Sequence, residues 1–384
     1  VTFLIILVGF WALITGILWI KYDSILWWEW LAGVGAGILT VVLLVTLGKM
    51  GQAADTELWS GTVSSATHIP KWVSEEERAV YKQVSHTDSK GNTYYTREFS
   101  HYETYYDTHS PRWSVSTTLG QWGISQSEYA DLKVKFGGER TDRGHRPNYY
   151  SGDRNDYNLV NTHRWVEPVT RTASFENRIK AAPSTFSFPP VPEDARVFDW
   201  PASEGLGRSN RLLGRAKLVD ILEWDRMCAR LGPRKKVNMI MIGFGPNSSQ
   251  SDAVLQESAW IGGRKNDLVL CFGNDEGGRA GWSYVFGWTE EGIVKRNLET
   301  ILLQRAIDDT IIPAIEAEVM ANYKIRDWSE FDHITIPVPV WVYPVTIIVL
   351  MLTQGLLFWF FHSNEFTKDN PVGTIRPRFR GTIR

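Results

Sequence analysis

Two glycine-rich stretches near the C-terminal third carry the residues best suited to chemistry. GFGPNSS (243–249) and GNDEGG (273–278) each follow a short apolar run. Asp275 and Glu276, with Asp252 on the segment between the stretches, offer the oxygen ligands that a hard divalent cation prefers. A cation held there would activate water for phosphoester hydrolysis. A plainer reading treats both stretches as turns whose glycines permit positive φ. No Walker lysine follows Gly243–Gly245, which excludes a phosphate-cradling nucleotide loop. A second cluster is His101, Glu103, Asp107 and His109, all on one face if the chain stays extended there. At ~3.3 Å per residue the two histidines stand about 26 Å apart, too far for one metal. That cluster reads as a solvated strand face. Neither a Gly-x-Ser-x-Gly elbow nor an HExxH helix is present, so the residues single out no nucleophile. A divalent cation is the one cofactor they suggest.

These residues sit in two segments expected to be soluble domains. Residues 52–192 read as β-rich, with strands over 57–65, 78–85, 93–106 and 113–118 and a hairpin turn at 88–92. Residues 137–161 are rich in Gly, Asp, Asn, Arg and Tyr without a period, and are expected to form a long surface loop. Pro183, Pro189, Pro190 and Pro192 mark a linker. Residues 198–335 alternate helices and strands. Helices are expected over 217–231 (ending at Gly232–Pro233), 249–260 and 310–323, with another opened by Thr289, Glu290 and Glu291. Strands are expected over 237–242, 267–272 and 282–288. Such alternation argues for an α/β layer fold.

The ends of the chain read as membrane spans. Residues 1–20 carry no charge and 25–47 only Glu29, each long enough to cross a ~30 Å hydrocarbon core. With four polar residues between them they should form a transmembrane helical hairpin, residues 1–48. Trp27, Trp28 and Trp30 suit a membrane interface, and Glu29 among them should be solvated there. Gly33 and Gly37 lie one turn apart and permit close helix packing, against the first span or another chain. Residues 338–361 form a third candidate, bounded by Trp341 and Trp359 and interrupted by Gln354. The basic tail, 362–384, places the C-terminus in the cytoplasm and 52–336 outside by the positive-inside rule. The fold class is thus an α+β membrane protein: helical hairpin, β-rich domain, α/β domain, C-terminal span. A formal net charge of −2 gives no nucleic-acid footprint. Two cysteines, Cys228 and Cys271, exclude a disulfide framework but leave open one pair or two buried thiols.

The stretch WIGGRKNDLVLCF (260–272) resembles the centre of TPM domains, where a tryptophan-bearing helix leads through a Gly- and Asp/Asn-containing turn into an apolar strand. IIPAIEAEVMANYKIRDWSEFDHI (311–334) is similar to that family's closing helices. Residues 286–292, FGWTEEG, depart from the family's Gly-x-Gly-Leu-Glu. The resemblance implies an extracytoplasmic domain beside a membrane span, with phosphoester hydrolysis attributed to some plant members. The layout, with DTELWSG (55–61) after the hairpin, also resembles uncharacterised membrane proteins of tailed phages and bacteria. Together these readings lead us to expect a membrane-anchored binding or assembly protein, periplasmic in its head. Its expected partners are the lipid bilayer and either further copies or other membrane proteins. A metal-dependent phosphoester hydrolase is the alternative and an oligomeric pore a further one.

Overall fold

In a computed structural model, the described residues are Gly9, Ala12, Gly16, Ile17, 27–87, 89–91, 93–162, 167–201, 203–204, 208–274 and 279–364. The chain is mixed α/β with several sheets and one long apolar helix near its N-terminus. It divides into two compact units: 1–55 with 174–188 and 328–384, and 56–173 with 189–327. Both segments expected to be separate soluble domains contribute mainly to the second unit.

The elements in chain order begin with α1 (Trp27–Ala53) and β1 (Ala54–Ile69), followed by β2 (Trp72–Thr87), β3 (Thr93–His109), β4 (Arg112–Thr117) and β5 (Gly120–Ile124). Then come α2 (Gln126–Phe136), β6 (Glu139–Arg143), β7 (Tyr149–Gly152), β8 (Asn155–Val160), β9 (Pro168–Glu176) and α3 (Arg178–Ala181). The chain continues through β10 (Leu212–Gly214), α4 (Ile221–Lys235), β11 (Asn238–Phe244), α5 (Gln250–Ala259), β12 (Asp267–Asn274) and β13 (Ala280–Gly287). It ends with α6 (Ile293–Gln304), α7 (Ile312–Asn322) and α8 (Val342–Asn364).

In the first unit, α1 is the single described helix long and apolar enough to cross a membrane. It runs six residues past the expected end at Leu47, into Ala53, where Lys49, Met50 and Gln52 are good helix formers and offset Gly48 and Gly51. α8 packs along it through Val41, Val45, Tyr343 and Leu350. The helix starts at Val342, after the expected 338, since Pro339 keeps the preceding residues out of helical geometry. Pro344 sits in the first turn, where its missing N–H costs nothing. Gly33 is a packing residue, but against α8: Gln354 Nε2 donates to Gly33 O at 2.8 Å, and a Cβ on Gly33 would lie 3.3 Å from Gln354 Oε1. A Cβ on Gly48 would meet Val342 Cγ2 at 2.4 Å, so the helices approach closely there too. Gly37 is buried. Glu29 is buried as well (5 % exposed), not solvated as expected. Most of the first expected span lies outside the described residues; within it, Trp30 Nε1 donates to Ala12 O at 3.0 Å.

The second unit holds a six-stranded sheet (β5-β4-β1-β8-β6, with β9 also on β1), a three-stranded one (β3-β2-β7) and a four-stranded one (β10-β11-β12-β13). The last is parallel except for β13. Its strands are apolar on both faces because helices cover both. Met239, Met241, Leu268 and Leu270 face α4, α6 and α7, while Ile240, Ile242, Val269 and Cys271 face α5 and its aromatic neighbours. Cys228 and Cys271 are buried and free, in different clusters.

Two expectations fail here. Residues 137–161 are not a loop: they contain β6, β7 and β8, with β8 antiparallel to both β1 and β6. Their polar side chains are consumed by cross-strand bonds such as Asn158 to Asp142 (3.0 Å) and Thr67 to Asn158 (2.8 Å), so no apolar alternation marks them. α4 continues through Gly232 and Pro233 instead of stopping. A Cβ on Gly232 would lie 2.0 Å from Ser60 O, so the glycine admits β1 against the helix. The helix ends three residues later, at Lys236 in left-handed geometry (φ 55).

Candidate functional site

The glycine-rich stretches follow β11 and β12, at the carboxyl ends where α/β sheets place ligands. Asp252 is nevertheless committed to its own helix. Its carboxylate accepts the Ser249 N–H at 2.8 Å, half of a capping box at the start of α5. Asp275 and Glu276 lie outside the described residues. Among the described residues no group of three or more His, Cys, Asp or Glu could hold a metal ion.

His101, Glu103, Asp107 and His109 do share one face of β3, as the extended reading required. They are divided among local partners. His101 contacts Glu103 at 3.3 Å, Asp107 meets Arg78 at 3.7 Å, and His109 bonds Ser74 Oγ at 2.8 Å while stacking on Trp72 at 3.9 Å. The residues form a row of pairs and no common centre.

Sequence reasoning missed the deepest polar cluster. Arg211 is fully buried and forms a 2.9 Å ion pair with Asp225 Oδ1. It also donates to Asn238 Oδ1 (2.7 Å), Ser60 Oγ (2.7 Å), Thr170 Oγ1 (3.3 Å) and Ser209. Asn238 in turn donates to Asp267 Oδ1, whose other oxygen accepts from Trp200 Nε1 and the Arg264 N–H. Burial pushes the Asp267 carboxyl upward, opposed by these three donors. Asn266 Nδ2 donates to Leu58 O at 2.7 Å. DTELWSG is therefore the strand by which the six-stranded sheet is tied to the amino ends of β11 and β12. This cluster is a structural joint, since the guanidinium bonds groups of β1, β9, α4 and β11 at once. A lone arginine before a Leu-Leu pair gave no sequence signal for it.

The β2–β3 ribbon carries a row of exposed aromatic side chains. β7 pairs only with the first residues of β2, Trp72–Ser74, leaving 13 residue pairs, some 43 Å at ~3.3 Å each, as a two-stranded arm. The register shifts between Val80 and Tyr81, whose partners are His101 and Phe99, so Ser100 is a bulge without a partner on β2. One extra residue swaps the faces of everything beyond it. Consequently Phe99 and Tyr102, three apart, lie on the same face, with ring centroids 5.0 Å apart.

Cross-strand partners share a face, so the register sorts the whole ribbon. One face carries Tyr81, Tyr95, Phe99, Tyr102 and Tyr106, the last against Tyr150 of β7 at 4.7 Å. All are at least half exposed; Tyr95 and Tyr102 reach 65 % and 63 %. The opposite face carries the ribbon's ion pairs among the described residues: Arg78–Glu76, Arg78–Asp107, His86–Glu98 and His101–Glu103. Tyr94 and Tyr105 on that side are engaged, by stacking on His86 and by donating to Glu103. On the aromatic face the rings meet one another, Tyr81 with Phe99, Phe99 with Tyr102 and Tyr106 with Tyr150. Isolated two-stranded ribbons are marginal in water, and a contiguous exposed aromatic row marks an interaction surface.

The chain matches no protein-family model, no curated protein and no solved structure.

Proposed function

We propose that this is a membrane-anchored, non-enzymatic assembly protein whose head engages other proteins through the aromatic face of the β2–β3 ribbon. The observation that carries this reading is that face: large side chains held exposed on a long arm, where burial against a partner is the gain available to them. The anchor is α1, whose most apolar part, Trp28–Ala53, spans 26 residues, with α8 as a second crossing and residues 1–20 as a third. Gln354 then serves as interhelical glue in lipid, where its amide bond to Gly33 O replaces water. The basic tail is cytoplasmic and 52–336 extracytoplasmic.

We also propose kinship with the TPM family for 198–335. Two features support it: the mixed sheet with helices on both faces, and the path of 260–272. That path leaves α5, turns through Ile261, Gly262 and Gly263 at positive φ, and enters β12.

The test is a pair of measurements on the full chain. Alkaline washing of membranes should leave it in the pellet. The detergent-extracted chain should show no turnover of phosphomonoesters or phosphodiesters with Mg²⁺, Mn²⁺ or Ca²⁺ added. Turnover abolished by Asp275→Ala would overturn the non-enzymatic reading, and release by alkali would overturn the anchor.

A further inference from the structure

We infer that the partner of the ribbon's aromatic face is the same face of a second copy, packed antiparallel about a two-fold axis between the Ala79–Tyr102 and Tyr81–Phe99 pairs. This deepens the assembly reading and rests on it. Two ways of joining copies are open to a ribbon: pairing strand edges or packing faces. Edge pairing of β3 with β3 is disfavoured across the bulge. The Ser100 bulge reverses the facing of residues on either side of it, and the antiparallel edge pair that sets Phe99 opposite Tyr102 also sets Glu98 directly opposite Glu103. Like charges directly opposite are destabilising, and a bulge is a common protection of an exposed edge.

Face packing avoids that opposition. Counting along the ribbon, Glu77 with Thr104 lies one pair to the root side of Ala79–Tyr102. Gln83 with Arg97 lies one pair to the tip side of Tyr81–Phe99. A two-fold axis lying across the ribbon between the central pairs exchanges root and tip but keeps each strand over its own copy, so Arg97 of each copy falls opposite the pair holding Glu77 and Thr104, one strand spacing (about 4.8 Å) from Glu77 and within reach of its carboxylate. Tyr95, one pair farther toward the tip, falls opposite the pair holding Glu75 and Tyr106. The centre becomes Tyr81, Phe99 and Tyr102 from both copies, closed on two sides by the same ion pair.

The charge layout supports a self-complementary partner. Every ribbon ion pair among the described residues lies on the other face. Glu77 and Arg97, on the aromatic face, form none. An isologous contact needs one patch to carry both members of each complementary pair, and this patch does. Twist limits close contact between two ribbons to their central part, and these groups lie within about 10 Å of the axis at 3.3 Å per residue. The contact is small, at the low end for a specific interface. Confinement of both chains to one membrane supplies the effective concentration that it needs.

The experiment uses full-length chains in membranes. Cys228 and Cys271 are both fully buried, so an added surface cysteine is a clean probe. Differently tagged Glu77→Cys and Arg97→Cys chains are co-expressed and treated with a short bifunctional thiol reagent, because facing sheets pack about 10 Å apart. The 77–97 product should form at least tenfold faster than 77–77 or 97–97, and Lys82→Cys on the opposite face should give none. Glu77→Arg and Arg97→Glu should each reduce the dimer fraction several-fold, and together in one chain restore it. Equal rates for all three products, or no product above the Lys82→Cys level, would overturn the two-fold contact. If chains that stay in alkali-washed membranes give no 77–97 product, this inference fails and the anchor stands. Chains that leave the membrane yet cross-link 77–97 show the reverse.

Discussion

Arg211 illustrates what a single buried residue holds together. Its guanidinium bonds groups from β1, β9, α4 and β11, and removal would strand the Asp225 carboxylate, already pushed upward by burial. Breaking one member of a buried pair costs about 3–5 kcal/mol. Arg211→Ala should therefore lower the melting temperature of the full chain by roughly 6–20 °C, or abolish accumulation of folded protein. A shift of only a degree or two would show that the joint is dispensable. His68 gives a pH test. It stacks between Trp113 (5.0 Å) and Tyr157 (5.6 Å), and burial lowers its pKa below the ordinary 6.5. A histidine whose folded pKa is depressed contributes stability above its unfolded pKa and loses it as pH falls through the folded one. Melting temperature should fall between pH 7 and pH 5, and His68→Gln should flatten that slope. An unchanged slope in the variant would assign the acid sensitivity elsewhere.

At the scale of elements, some of the fold is legible in the sequence and some is not, for identifiable reasons. The apolar strands β11 and β12 and the helix α5 between them are readable because burial on both faces leaves unbroken apolar runs. β6, β7 and β8 are not, because their side chains bond one another and leave no period. α2 carries a readable signal that was passed over. Ser125 and Glu128 form a capping box, and Tyr129, Leu132 and Phe136 make one buried stripe. Ser125→Ala should cost about 1 kcal/mol, seen as a melting shift of a few degrees; no shift would leave the box without weight. Of the candidate site, the extended facing of His101 to His109 was legible, but the aromatic face was not. A one-residue bulge at Ser100 decides which side Tyr102 and Tyr106 occupy, and bulges have no sequence period. The Gly33–Gln354 contact was hidden for another reason, since its partners lie 321 residues apart. Gly33→Ile should reduce folded protein in the membrane, because its bulk meets the Gln354 amide. Normal yield with Gly33→Ile would show that α1 and α8 do not depend on that approach.

For the whole molecule, we propose an apolar anchor joined to a head that displays one aromatic face. Topology follows from the tail: a protease added outside, with outer barriers removed, should cut the exposed segment near Pro192 and spare Arg376 to Arg384. The opposite pattern would invert the molecule. The claim that the ribbon is the contact surface can be read directly as mass. Extracted in polymer-bounded lipid discs, which keep copies that share a bilayer together, the wild-type chain, 43.8 kDa as a single polypeptide, should give a protein mass of at least two copies by light scattering. The triple variant Tyr81→Ser, Phe99→Ser, Tyr102→Ser should give one copy, with the fold retained because all three side chains are at least half exposed. Equal masses for wild type and variant would contradict the account.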